Sequence, residues 1–421
     1  VPAADPGGGA APSASPSPTE LGFRPGDPAF LADPYPVFRA LADAGPALYY
    51  PERDLWLLTR FTDVHAALRH RGLGRIYTHR HSAADLGLPE PEAAYPRWQA
   101  SEQWSLLNLE PPDHTRLRRL VTKVFTARSV AAMRPTIERI CREQLGPLAT
   151  RESFDVLADF AQPYSIAVIC ALLGVPAEAG PTLLAWSHAI VKMYEFQTTD
   201  AERDGAERAA ADFIAYVRAL IGDRRTDPRD DLITELVQVA DEGDRLSEDE
   251  IVSTVIVLLN AGHEATVNTL GNGLRAACLF PDEWRRVVGG EVSPATAVEE
   301  LIRWDAPLQL FERWVLEDGV ELAGRTFRAG ERIGMMFGVA NRDPERFPDP
   351  DRFDIGRGDA GHIGFGGGTH FCIGAPLARL ELDIALTQLA AAGPDLHWVE
   401  EPQYQPYFVI RGLRSLRVQL R

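Results

Sequence analysis

The chain is poor in cysteine, in basic residues and in long apolar runs, and each shortage removes a class of function. Only four cysteines, Cys141, Cys170, Cys278 and Cys372, are spread over 421 residues. They are too few and too scattered for a disulfide framework. They fit a reducing cytoplasm, where a special cysteine is a ligand or a nucleophile. Lysine and arginine total 43 against 60 acidic residues, a formal charge of −17. The basic footprint of a nucleic-acid binder is therefore missing. No stretch reaches the roughly 20 apolar residues that a membrane-spanning helix needs. Ile166–Val175 stops at Pro176, and Ile251–Leu259 runs straight into Asn260, His263 and Glu264. Neither a membrane nor a nucleic acid is expected as a partner.

Apolar residues at 45% and charged residues at 24% are ordinary for a packed globular chain. Residues 1–20 are the exception. Up to Thr19 they are Pro, Gly, Ala or Ser apart from Val1 and Asp5, which predicts a disordered tail. The tail has no basic start and no apolar run, so it does not read as a signal peptide. From about 115 to 300, apolar residues recur at helical spacing, around 129–148, 157–174, 204–222, 230–240, 247–279 and 295–304. Short β-like pieces flank this block at Ala47–Thr59, Trp314–Gly338 and Tyr407–Leu420. The fold class is mainly α with small β-sheets (α+β), with 21–421 expected as one domain.

The most informative stretch is Phe365-Gly-Gly-Gly-Thr-His370-Phe-Cys372-Ile-Gly374-Ala-Pro376. Five glycines between Gly364 and Gly374 let the backbone come close to a flat ligand or take positive φ. Pro376 fits the first turn of a helix running to about Ala391, where a missing N–H costs nothing. Cys372 thus precedes a helix N-terminus, whose partial positive charge favours thiolate. Zinc is a poor candidate, because no second cysteine lies two to four residues away. A Cys372–His370 nucleophile pair stays open on these residues alone.

The run Phe365 to Gly374 resembles the haem-binding loop of the cytochrome P450 superfamily: Phe, Gly, any, Gly, any, basic, any, Cys, any, Gly. The resemblance implies haem b (iron protoporphyrin IX), with Cys372 as the iron ligand and Phe365, Gly366, His370 and Gly374 around it. Thiolate ligation favours O–O cleavage. Further motifs follow in the family's order. Glu300 and Arg303, i and i+3 on a helix, resemble its buried structural pair, with Arg352 in Pro350-Asp-Arg-Phe353 implied as the third member. Ala340 to Phe353 is similar to the meander before the cysteine loop. His114 and Arg118, i and i+4, are implied partners of a haem propionate together with Arg313 and His370; an arginine fork suits a carboxylate.

The segment 247–279 opens with Ser247-Glu248-Asp249-Glu250, a capping box. At about 1.5 Å per residue the helix is near 45–50 Å long. One face carries Ile251, Val255, Leu258, Gly262, Ala265 and Leu270, shrinking at Gly262 and Ala265. Close helix packing or a gap for dioxygen would both explain that. Ala261-Gly262-His263-Glu264 resembles the family's segment over the iron. There the acid is followed by Thr, whose hydroxyl helps deliver protons. This chain has Ala265, and Thr266 comes one position late, about 100° round the helix. Protons are then expected from ordered water or a substrate hydroxyl, with Glu264 either feeding them or simply solvated.

The resemblance implies a monooxygenase that takes O2 and two electrons from a ferredoxin or flavodoxin-type donor with its reductase. A local basic patch of Arg116, Arg119, Lys123 and Arg357 is the expected dock. The substrate is expected to be a small to mid-sized apolar or aromatic molecule of bacterial secondary metabolism. Segments 75–106, 193–196, 308–311 and 407–410 would wall its pocket, with Leu308, Phe311 and Phe408 among them and Leu258 from the long helical segment. His79 and His81, in the first of these, read as loop or substrate contacts. The rival readings are oxidative coupling without oxygen insertion, and a non-catalytic haem sensor or carrier. A cytoplasmic monomer is expected.

Overall fold

The computed structural model describes residues 16–75, 94–241 and 243–420. Most of the predicted tail lies outside these residues, as do His79 and His81. The end of the tail is not loose. Leu21 and Phe23 donate backbone hydrogen bonds to Ser17 and Pro18, Thr19 reaches Glu52, and Phe23 is fully buried. Residues 16–20 therefore belong to the folded part.

The centre is the helix Glu248–Leu279, started by the reciprocal Ser247–Glu250 capping box. We call it the long helix. Most of its side chains are buried, as expected of a helix surrounded on nearly all sides. Around it pack Gln162–Leu173, Gly180–Val191, Asp200–Thr226, Pro294–Trp304 and Ala375–Ala392. Asp200–Thr226 opens with a second capping box, Thr199 with Glu202. Gly180–Val191 was not evident from periodicity, because its apolar residues are spread round the helix with no clean polar face.

A five-stranded sheet stands to one side, in the order Ala47–Tyr50, Leu55–Leu58, Arg332–Met336, Leu310–Val315, Leu73–Gly74. Its pairings are antiparallel except Leu55–Leu58 with Arg332–Met336, which is parallel. The register sets Arg332 opposite Trp314 and Met335 opposite Phe311, and Phe311 and Arg313 of Leu310–Val315 line a space shared with the long helix. Of the predicted strand Tyr407–Leu420 only Arg417–Leu420 forms one. The remainder makes isolated bridges at Ile410 and Leu413. Among the described residues one helical stretch, Val156–Leu173, is long and apolar enough to cross a membrane, and 61% of it is buried inside the fold. A core helix has the same composition.

Candidate active site

The cysteine loop is shaped by two glycines that need positive φ, Gly366 at +69° and Gly368 at +63°. A Cβ on Gly368 would meet the Leu68 carbonyl oxygen at 2.2 Å, so no larger residue fits there. Cys372 donates its backbone N–H to Phe365 O at 3.0 Å, closing the loop. Gly374 then caps the helix Ala375–Ala392. Burial pushes the Cys372 thiol up, while the N–H groups of Gly374 and Ala375 and the charges of Arg118 and Arg379 pull it down. Burial is the larger effect, while the helix start acts in the direction the sequence suggests, toward thiolate. A coordinated metal would complete the deprotonation. His370 does not serve as a base for Cys372: Nε2 faces Glu110 Oε1 at 3.2 Å, and Nδ1 has no partner. The nucleophile-pair reading falls.

Among the described residues, basic side chains gather beside the loop without enough anions. His114 is buried, and neither of its ring nitrogens has a partner. Burial and the neighbouring His370 and Arg118 push it down to about 4. Arg313 lies over Phe311 with Nη2 unpartnered. Its burial, with Arg75 nearby, lowers it to about 9. Arg118 donates to Phe371 O at 2.6 Å. Glu110 is the local carboxylate, and His370 and the Arg75 backbone N–H already occupy it. Buried donors without acceptors are expensive. A carboxylate-bearing cofactor would satisfy them.

Between this cluster, the cysteine loop and the long helix is a slot lined by Leu258, Ala261, Gly262, Ala265, Thr266 and Cys372, among others. Its walls, its thiol and its orphaned donors suit a flat apolar group carrying carboxylates. Gly262, however, is small for packing. A methyl there would come within 2.8 Å of Ile169, so the small surface toward the open space comes chiefly from Ala261 and Ala265.

That space continues into a cavity of about 930 Å³, walled by Leu308, Phe311, Val409, Asn260, Glu264 and Ala265 with others. Leu258 lines the slot and not this cavity. Phe408 lines neither. It is buried among Phe23, Phe30, Phe38 and Phe196, while the next two residues, Val409 and Ile410, take the wall position. Glu264 is not solvated: its side chain is 16% exposed, with Oε1 3.3 Å from His188 Nε2. Burial, helped by the charge of Glu195, pushes it up to about 7. Asn260, one turn earlier, is buried with both amide atoms unpartnered. Neither Asn260 nor His188 stood out in the sequence. A polar residue on an apolar face was the available signal for Asn260.

Glu300 and Arg303 form a fully buried fork, Nε–Oε2 2.7 Å and Nη2–Oε1 2.8 Å. Arg303 also donates to the carbonyls of Asn341 and Pro350, pinning the meander. The third guanidinium is Arg357, 3.3 Å from Glu300. Arg352 has an exposed side chain and offers only its backbone carbonyl. The expected basic patch shrinks accordingly. Arg357 is committed to Glu300, and Arg116 to Asp244 and Glu250. Arg119 and Lys123 of that patch line a depression together with Arg118 and Thr369.

The family model for cytochrome P450 matches residues 89–278 and 295–390. The chain is a cytochrome P450. It is 37% identical to the vitamin D(3) 25-hydroxylase of Pseudonocardia autotrophica, covering 93% of this chain and 94% of that one. It is 35% identical to the 6-deoxyerythronolide B hydroxylase of Saccharopolyspora erythraea, covering 93% and 97%. Among solved structures, P450BioI in complex with an acyl carrier protein bearing hexadec-9Z-enoic acid superposes with a TM-score of 0.85 at 31% identity, over 93% of this chain and 100% of that one. This cytochrome P450 is thus a haem b monooxygenase with the P450 fold. The sensor or carrier reading is set aside.

Proposed function

We propose that this cytochrome P450 inserts oxygen into a mid-sized, largely apolar molecule of bacterial secondary metabolism that carries at least one hydrogen-bonding group. The cavity is the observation that carries the reading: about 930 Å³, with Leu308, Phe311 and Val409 on its walls and the unpartnered amide of Asn260 among them. Apolar surface supplies binding, and a buried amide left unpaired favours a substrate that pairs it. Two relatives named for hydroxylation, of vitamin D(3) and of 6-deoxyerythronolide B, support this substrate class.

When bound, haem supplies dioxygen activation and one-electron redox chemistry. In our reading Cys372 would hold the iron through its sulfur, with the N–H groups of Gly374 and Ala375 stabilising the negative charge there. His114, Arg118, Arg313 and His370 hold the propionates. The cavity walls exclude water and orient the substrate. Glu264 holds a proton at Oε1 beside the space above Ala265, replacing in part the hydroxyl that Ala265 lacks. Electrons come from a ferredoxin-type donor docking around Arg119 and Lys123, beside the exposed ring of Phe371. The four cysteines stand unpaired, in keeping with a reducing cytoplasm. Turnover under isotopically labelled dioxygen tests the reading. Label in the product supports insertion, and an oxidised product without label supports coupling or ring closure.

A further inference from the structure

The helix Gly180–Val191 packs against the long helix and sets one imidazole, His188, over two consecutive side chains, His263 and Glu264. His188 Nε2 is 3.4 Å from His263 Nε2 and 3.3 Å from Glu264 Oε1. All three donor atoms lie within 4.8 Å of one another. We propose that His188, His263 and Glu264 form a binding site for a divalent transition ion of the zinc type, separate from the haem iron and joining the two helices beside the cavity.

The proton inventory favours a metal over a hydrogen-bonded cluster. A neutral imidazole has one N–H and one lone pair. If His188 carries its hydrogen on Nε2, that one hydrogen must serve both a carboxylate and a second ring nitrogen. If it does not, its single lone pair takes the proton that Glu264 holds at Oε1, and His263 Nε2 is left without a partner of its own. His263 is fully buried and its Nδ1 has no partner, so no second hydrogen bond commits Nε2 to being the protonated nitrogen. A divalent ion takes a lone pair from each of the three atoms at once.

Spacing and chemistry agree with this. Zinc bonds of about 2.0–2.1 Å in a tetrahedron separate neighbouring ligand atoms by about 3.3–3.4 Å. Two of the three separations here are 3.4 and 3.3 Å, and the third is within 4.8 Å. Two imidazoles and one carboxylate are a known zinc ligand set that leaves a fourth position for water. Without a thiolate, the set also suits nickel or copper(II). His188 has a side chain 39% exposed, which gives the ion a way in and water a place to bind. The nearest cation on the same helix turn, Lys192, is turned to Glu202 at 3.5 Å.

An ion held there would fix the Glu264 carboxylate away from proton delivery and slow turnover. That consequence rests on the role proposed above for Glu264; the binding site does not. The test titrates zinc chloride into chelator-treated holoenzyme by calorimetry, with His188→Ala as the variant because its partly exposed side chain can be removed without opening the core. Glu264→Gln is the second variant, keeping shape while losing charge. One zinc per chain, weakened more than about tenfold in both variants, is expected. No binding at millimolar zinc, or equal binding by the wild type and His188→Ala, overturns the site. Zinc binding with unchanged turnover supports the site and contradicts the proton role of Glu264.

Discussion

His114 and His370 lie ring against ring, centroids 4.4 Å apart, and among the described residues only the second has a carboxylate to hold. His370 meets Glu110 at 3.2 Å, while both nitrogens of His114 are orphaned. Arg313 completes the group with its own unpartnered Nη2. Such an imbalance in a buried place fits a missing anion, which we assign to a haem propionate. A hydrogen bond to a charged group is worth about 1.5–3 kcal/mol. His114→Ala and Arg313→Ala should therefore each speed haem loss to a scavenger protein by about 10- to 100-fold. Loss at the wild-type rate in both variants would remove these residues from the propionate site.

The buried fork of Glu300 and Arg303 makes a separate stability prediction. Removing one partner of a buried ion pair costs about 3–5 kcal/mol, so Arg303→Ala should lower the urea midpoint sharply. Arg352→Ala should stay within about 0.5 kcal/mol of wild type, since only its backbone carbonyl takes part. Arg357→Ala should fall between them. An Arg352→Ala variant as unstable as Arg357→Ala would contradict the assignment of the third guanidinium.

Much of this site was legible in the chain because its chemistry is local. Ten consecutive residues carry the cysteine loop, and the capping box of the long helix is set by Ser247 and Glu250 alone. What was not legible depends on direction. Phe408, Val409 and Ile410 are adjacent on an extended segment, and sequence alone does not say which of them turns inward; the ring of Phe408 went to an aromatic cluster. Likewise Arg352 lies at the end of the meander and Arg357 just after it, and only the turns there decide which one reaches Glu300. His188 was hidden because its helix has apolar residues all round, and Gly262 because close packing and an open gap select the same small residue.

The proton route rests on Glu264 beside Ala265. Glu264→Gln keeps the shape and loses the exchangeable proton, and general acid catalysis commonly contributes about 100-fold or more. Product formation should fall on that scale, with peroxide release rising. Ala265→Thr should lower peroxide release relative to wild type. Unchanged coupling in Ala265→Thr would mean that the alanine has no mechanistic consequence.

Acid should act through Glu299. Burial alone would raise its carboxyl, but the Arg379 fork and His362 hold it down to about 2, from an ordinary 4.5. A folded-state value below the unfolded one contributes stability above about 4.5, lost as pH falls toward 2. The melting temperature of the wild type should therefore converge on that of Glu299→Gln across this window. A constant gap between the two would contradict the pairing.

The central claim is that Cys372 ligates the haem iron as thiolate. The most direct measurement is the absorption spectrum of the reduced carbon monoxide complex of purified holoprotein. The account predicts the strongly red-shifted Soret band of thiolate ligation in the wild type and its loss in Cys372→His. A wild-type complex lacking the red-shifted band under conditions that preserve the fold, or the same red-shifted band in Cys372→His, would contradict it.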